Sequence, residues 1–216
     1  MANKSGSLPA AVWVGFALTM GLGVLAGLLA FVNHAKEQPL PVLGQVNDFT
    51  LTNENGVATT LAAFTNHVWV ADIIFTRCAG PCPRMTQQMR SVQEALGSDD
   101  NARLVTLTTD PDHDTPEILS RYAKFYGADT NRWTFLTGTK PEIAGLAAGG
   151  LKLSSMPVKP EEQTNAADLF IHTTIFVVVD QHAQLRGVFE TGGDGVDWTN
   201  DVEPRLLTTV SRLERE

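Results

Sequence analysis

The chain has 216 residues, of which 43% are hydrophobic and 19% charged, an ordinary balance for a folded protein with no stretch biased enough to suggest long disorder. Its formal net charge of -8 sets the average field against phosphate neutralisation, which argues against nucleic acid as a partner. The only two cysteines, Cys78 and Cys82, have three residues between them, so they mark a local site and not a disulfide framework.

No side chain from Ser5 to Asn33 carries a formal charge, and residues 8–32 form a long apolar run. About 20 apolar residues cross a bilayer core, so residues 1–33 are expected to be a transmembrane anchor. A cleaved signal peptide is the competing reading, but its apolar core is usually about 7 to 15 residues, and Phe31-Val32-Asn33-His34-Ala35 is a poor cleavage site. Lys4 and the amino terminus lie on one side of the run, while Lys36 on the other is offset by Glu37. That balance predicts the amino terminus inside and the domain outside. Residues 34–43, with Pro39 and Pro41, read as a short stiff linker, and residues 44–216 as a single domain.

Within that domain, Phe49 to Thr52 and Ala58 to Leu61 read as strands joined at the Asn55-Gly56 turn. Val68 to Phe75 is mostly apolar on both faces and suits a central strand. Pro83 and the spacing of Met85, Met89, Val92 and Leu96 predict a helix that begins near Cys82 and stops at Gly97. A strand over 104–108 follows, then a helix capped at Asp114-Thr115-Pro116-Glu117 and running to about Tyr126. Trp133 to Leu136 reads as a strand, and Pro141 to Ala148 as a helix ending at Gly149-Gly150. Strands over 175–179 and 184–189 turn at Asp180 to Ala183, and a helix over 202–213 closes the chain. This order predicts an α/β fold, a central mixed sheet flanked by helices, with the cysteine loop at the carboxyl end of a central strand.

A cysteine at a helix amino terminus has its pKa lowered, and the thiolate is both nucleophile and metal ligand. The loop is therefore expected to supply thiolates that either share one soft ion or close as a disulfide. Inert buried cysteines are the bland alternative, disfavoured by the Gly80-Pro81 turn between them. Of five histidines, His34, His67, His113 and His182 read as solvated loop residues. His172 immediately precedes the apolar strand over 175–179, where a sheet can deliver it to the cysteine loop; a semi-buried structural histidine is an equally good reading of the sequence alone.

The segments Phe75-Thr76-Arg77-Cys78-Ala79-Gly80-Pro81-Cys82-Pro83, Asp110-Pro111-Asp112-His113-Asp114-Thr115-Pro116, Trp133-Thr134-Phe135-Leu136-Thr137-Gly138 and Phe170-Ile171-His172-Thr173-Thr174 occur in that order. Together they resemble the Sco/SenC family over about residues 44 to 214. The resemblance implies a thioredoxin-like fold with an added β-hairpin, one amino-terminal transmembrane helix, and a domain facing the periplasm or an equivalent space. It implies copper, Cu(I) or Cu(II), as the bound metal, with Cys78, Cys82 and His172 as ligands and Cys78 and Cys82 also able to form a redox disulfide. It further implies a role at the dinuclear copper site of cytochrome c oxidase subunit II, by copper delivery or by reduction of that site's cysteines, and contact with other periplasmic copper carriers. Many members carry an acidic residue between the cysteines where this chain has Ala79, Gly80 and Pro81, a difference bearing on affinity or potential and not on the ligand set. Asp110 reads as a group near the loop or as a turn residue.

Two other functions compete. A thiol-disulfide oxidoreductase would use the same two cysteines, though its usual signature has a two-residue gap and a proline where His172 stands here. A peroxide-reducing enzyme fits less well, because Thr76 lies only two residues before Cys78.

Overall fold

A computed structural model of the chain describes residues 10–36, 39–97, 101–153, 156–157, 170–171 and 174–216. The chain divides into two compact units, Met1–Leu40 and Pro41–Glu216. The first contains helix α1, Ala10–Lys36, which continues past the apolar run seen in the sequence. Its Val12–Leu29 window has a mean hydropathy of 2.0 and is exposed throughout. An apolar surface of that length has no favourable place in water, so the helix is compatible with a membrane anchor.

The second unit is thioredoxin-like. Strands β1 (Gly44–Gln45), β2 (Thr50–Asn53), β3 (Ala58–Thr60) and β4 (Val68–Ile74) lead to helix α2 (Cys82–Leu96). They are followed by β5 (Ala102–Thr108), α3 (Pro116–Tyr126), β6 (Trp133–Thr137) and α4 (Lys140–Ala144). Strands β7 (Met156–Pro157), β8 (Phe170–Ile171), β9 (Ile175–Val179) and β10 (Gln184–Glu190), then helix α5 (Glu203–Leu213), complete it. Among the described residues, eight strands form one mixed sheet in the order β1-β10-β9-β4-β5-β6-β2-β3, and β7 pairs with β8 as a separate antiparallel ribbon. β4, β5 and β6 are parallel, while β9 runs antiparallel to β4.

Every residue of β4 is buried, as its apolar run requires of a strand covered on both faces. Trp69, Ala71 and Ile73 join Val105, Leu107, Leu136, Ile143 and Val177 in one core. By the two-residue alternation of a strand, Val70, Asp72 and Ile74 face the opposite layer. That layer holds α2 and α5, whose buried residues include Met85, Met89 and Val92 on one helix and Leu206, Val210 and Leu213 on the other.

Most element boundaries fall within two residues of the sequence expectations, and the differences have local causes. The helix cap is Thr115, whose hydroxyl accepts from the Ile118 N–H, because Asp114 is turned inward. Helix α4 opens with a Thr139–Glu142 capping box but loosens at Gly145 into a π-helical turn, Gly145–Gly150, where three glycines weaken α-helical spacing. Another π turn, Trp198–Val202, capped by Asp197, takes the first residue expected of α5. The short strands β1, β7 and β8 carry no periodicity from which to read them.

Candidate metal centre

β4 ends at Ile74, and the chain turns at once, with the Cys78 N–H donating to the Phe75 carbonyl at 3.2 Å. The Gly80 N–H then donates to Cys78 Sγ at 3.4 Å. Cys82 is the first residue of α2, and its carbonyl accepts from the Thr86 hydroxyl at 3.0 Å. Gly80 and Pro81 thus fold the loop so that both sulfurs meet under the end of the sheet. Neither is in a disulfide; the two thiols share a hydrogen bond, and the Phe75 backbone N–H reaches the Cys82 sulfur.

Cys78 is 6% exposed and Cys82 1%. The hydrogen bond to Cys78, reinforced by burial, pushes the Cys82 thiol far above its ordinary range, against the pull of the Phe75 N–H. The helix amino terminus alone would have lowered it, as the sequence led one to expect. Because Cys82 faces inward, its proton is held until a metal ion or a sulfur–sulfur bond replaces it.

A polar scaffold ties this loop to the one after β5. Asp114 is completely buried; its Oδ2 accepts from the Thr76 N–H at 3.0 Å and the Thr108 hydroxyl at 2.5 Å, and its Oδ1 accepts from the Thr76 hydroxyl. His113 Nδ1 lies 2.9 Å from Asp114 Oδ1, so this histidine belongs to the scaffold and is not the solvated loop residue expected from the sequence. Arg77, adjacent to Cys78, donates through Nη2 to Asp110 Oδ2 at 2.5 Å. Asp110 is both a turn residue, its carbonyl accepting from His113 and Asp114, and a partner of the cysteine loop. Ligand atoms of Asp110, His113 and Asp114 lie within 4.8 Å of one another, but both Asp114 oxygens already accept protein donors, which suits a scaffold better than a cation site.

Two further histidines differ from each other. His182 is exposed in the β9–β10 turn, whereas His67 is half-buried with Nδ1 enclosed and, among the described residues, without a hydrogen-bond partner. His172 lies outside the described residues. The structure thus brings Cys78 and Cys82 together with Asp110 beside them. It also reveals groups that reading the sequence missed. Asp72 is 0% exposed in the middle of β4, with Oδ1 accepting from the Thr106 hydroxyl at 2.7 Å and Oδ2 without a hydrogen-bond partner among the described residues. Its signal was present, a lone carboxylate in an otherwise apolar strand. Tyr122 of α3 completes the surroundings, its hydroxyl 2.7 Å from that of Thr86.

The description SCO1/SenC belongs to the family model that matches this chain, over residues 40–206. The chain belongs to the SCO1/SenC family. The SCO1 protein homolog of Bacillus subtilis (strain 168) is 33% identical over 162 residues, covering 73% of this chain and 81% of that protein. The structure is similar to that of BsSco, a member of the Sco family of cytochrome c oxidase assembly proteins in which a disulfide switch was identified; identity is 27%, the TM-score 0.66, and coverage 82% of this chain and 98% of BsSco. It shares its fold with Bradyrhizobium japonicum ScoI with copper bound, at 20% identity and a TM-score of 0.63 over 78% of this chain and 99% of that one.

Proposed function

We propose that this SCO1/SenC chain binds copper through Cys78, Cys82 and His172 and serves assembly of cytochrome c oxidase, delivering copper to, or reducing the cysteines of, the dinuclear site of subunit II. The observation that carries the reading is the pair of hydrogen-bonded thiols of Cys78 and Cys82, held at the end of β4 and the start of α2. Two soft sulfurs on a rigid junction suit Cu(I), and an added imidazole extends the set to Cu(II). The related ScoI with copper bound, on the same fold, supports the choice of metal.

Support for His172 comes from its described neighbours. The strand that begins three residues after it, β9, pairs antiparallel with β4, the strand that leads into the cysteine loop, with Ala71 facing Val177 and Val70 facing Val178. Thr174, two residues after His172, is fastened toward the cysteine helix: its carbonyl accepts from the Thr191 N–H at 2.6 Å, and the Thr191 carbonyl accepts from Gln88 of α2 at 2.9 Å.

Residues 1–33 serve in this reading as a single-pass anchor in the inner membrane and 34–43 as a linker. The domain over 44–216 then faces the periplasm or an equivalent extracytoplasmic space. Other periplasmic copper carriers are its exchange partners.

Copper titration of the full chain in detergent, wild type beside His172→Ala, tests the ligand set. One tightly held copper per chain is expected for wild type and much weaker binding for the variant; equal binding removes His172 from the site. A second reading, extracytoplasmic thiol-disulfide exchange, is favoured by the hydrogen bond between the sulfurs and by the disulfide switch of the related BsSco. Reduction of a disulfide-bearing subunit II fragment by the copper-free chain separates the two.

A further inference from the structure

Phe125, in the last turn of α3, is 80% exposed, more than any other large apolar side chain described within Pro41–Glu216. One exposed apolar residue needs no explanation by itself, but the setting of this one is specific. Its ring meets Tyr126 edge-on with centroids 5.1 Å apart, Tyr126 packs on Tyr122 at 4.7 Å, and Tyr122 meets the fully buried Phe135 at 6.3 Å. The phenyl group is therefore held outward by an aromatic column rooted in the core. Helical spacing puts Arg121 and Lys124 beside it on the same face, both exposed and, among the described residues, in no ion pair. A Cβ at Gly127 would stand 3.4 Å from Arg90 Nη1, so α2 brings a third cation to this end. The carboxylates of the adjoining turns are engaged, Glu117 by the Thr115 hydroxyl, Glu94 by Arg90 and Asp129 by Arg132. In a chain of net charge -8, the end of α3 is thus locally positive around a projecting ring.

A ring among cations is the chemistry of a bilayer interface, where lipid phosphates take the cations and the headgroup–acyl boundary takes the ring. The tether favours that surface over a dissolved partner. α1 ends at Lys36 and β1 begins at Gly44, so the chain between them reaches at most about 28 Å when fully extended. That is less than the width of a domain this size, roughly 40 Å. A domain so held meets the bilayer at a high effective concentration, and a weak contact suffices to dock it.

We propose that the last turn of α3 docks on the anionic surface of the bilayer that α1 spans, with Phe125 at the headgroup–acyl boundary and Arg121 and Lys124 on lipid phosphates. The inference rests on the anchor reading of residues 1–33 and is independent of copper and of the dithiol. α3 begins at Pro116, beside the Asp114 corner that holds the cysteine loop, and Phe125 lies about 14 Å further along its axis. Docking by this end holds the domain in one orientation and leaves the opposite end of α3, with the cysteine loop, open to a client.

Amide hydrogen exchange of the full chain in lipid nanodiscs tests the contact, with discs of phosphatidylcholine alone or mixed with phosphatidylglycerol. Peptides covering residues 121–128 should exchange roughly tenfold more slowly in the discs that contain phosphatidylglycerol, and added salt should remove most of that difference. Phe125→Ser, and separately Arg121→Gln combined with Lys124→Gln, should each abolish the difference. Exchange in phosphatidylcholine discs, and copper binding, should stay as in wild type, which a merely structural role for these residues would not give. Equal exchange in the two kinds of disc, or slowing that survives both substitutions, overturns the docking alone. Slowing confined to discs that carry two chains assigns the face to a second copy and also overturns it. A chain that fails to co-purify with discs overturns the anchor and the docking together.

Discussion

Asp114 accepts hydrogen bonds from both the backbone N–H and the hydroxyl of Thr76, two residues before Cys78. A carboxylate on the loop after β5 thereby fixes the loop after β4, and with the Thr108 hydroxyl and His113 it joins both strand ends into one rigid corner. Rigidity there matters because the Cys78 and Cys82 sulfurs must stay within bonding reach of each other or of a shared ion.

Asp114→Ala should therefore cost stability as well as geometry. It orphans the Thr76 N–H and two threonine hydroxyls at a completely buried position, a loss of about 3 kcal/mol or more. Asp114→Asn should be nearly as damaging, because its amide nitrogen would face groups that are themselves donors. Urea unfolding of the three chains measures this, and a loss below about 1 kcal/mol for Asp114→Ala would show that the corner contributes little.

Asp72 gives the fold a dependence on pH opposite to the common carboxylate pattern. Its carboxyl moves from 3.8 to about 7 on folding, because burial disfavours the charged form. Between those values the native state holds a proton that the unfolded chain has lost, so stability falls as pH rises from about 4 to 7 and levels off above. The shift corresponds to at most roughly 4 kcal/mol. Denaturant unfolding at pH 5 and pH 8 should show wild type weaker at the higher pH and Asp72→Asn nearly flat. A wild-type profile rising from pH 5 to 8 at this site would mean that Asp72 is ionised in the native state.

The sheet and its helices were legible in the sequence because β4, β5 and β9 are continuous apolar runs, and α2 and α5 carry apolar residues at helical spacing. The cysteine pair was legible from its position after such a run. Asp114 and His113 were not, because a hydrophilic Asp-His-Asp turn looks the same whether it meets solvent or the underside of another loop; only the parallel pairing of β4 with β5 brings Thr76 to it. The state of the Cys82 thiol was misread for a related reason, since the helix terminus is a local feature and the opposing Cys78 and burial are tertiary ones.

Metal affinity should depend on pH through Cys82. Its thiol is pushed up by Cys78 and by burial and is protonated at neutral pH, so a metal ion binding there displaces the proton. Affinity should then rise roughly tenfold per pH unit for each proton displaced. Competition with a Cu(I) chelator between pH 6 and 8 reads this slope, and Cys82→Ser should lower both affinity and slope. An affinity independent of pH would show that the thiol ionises before the metal arrives.

Gly192 offers a way to disturb the segment leading back to position 172 without touching a proposed ligand. A Cβ there would stand 2.0 Å from Arg84 Nη2 and 3.2 Å from Thr174 Cβ. The arginine is exposed and can swing aside, but Thr174 is held, its hydroxyl donating to the Gly192 carbonyl at 3.1 Å and its carbonyl accepting from Thr191. Gly192→Ala should therefore shift Thr174 by a few tenths of an ångström at a cost of about 1 kcal/mol in stability. If His172 is a ligand, copper binding should weaken by more than this small loss of stability accounts for, while the reactivity of Cys78 and Cys82 toward an aromatic disulfide stays as in wild type. Weakened thiol reactivity together with weakened copper binding would instead trace the effect to α2, through Arg84, and away from the segment that ends at Thr174.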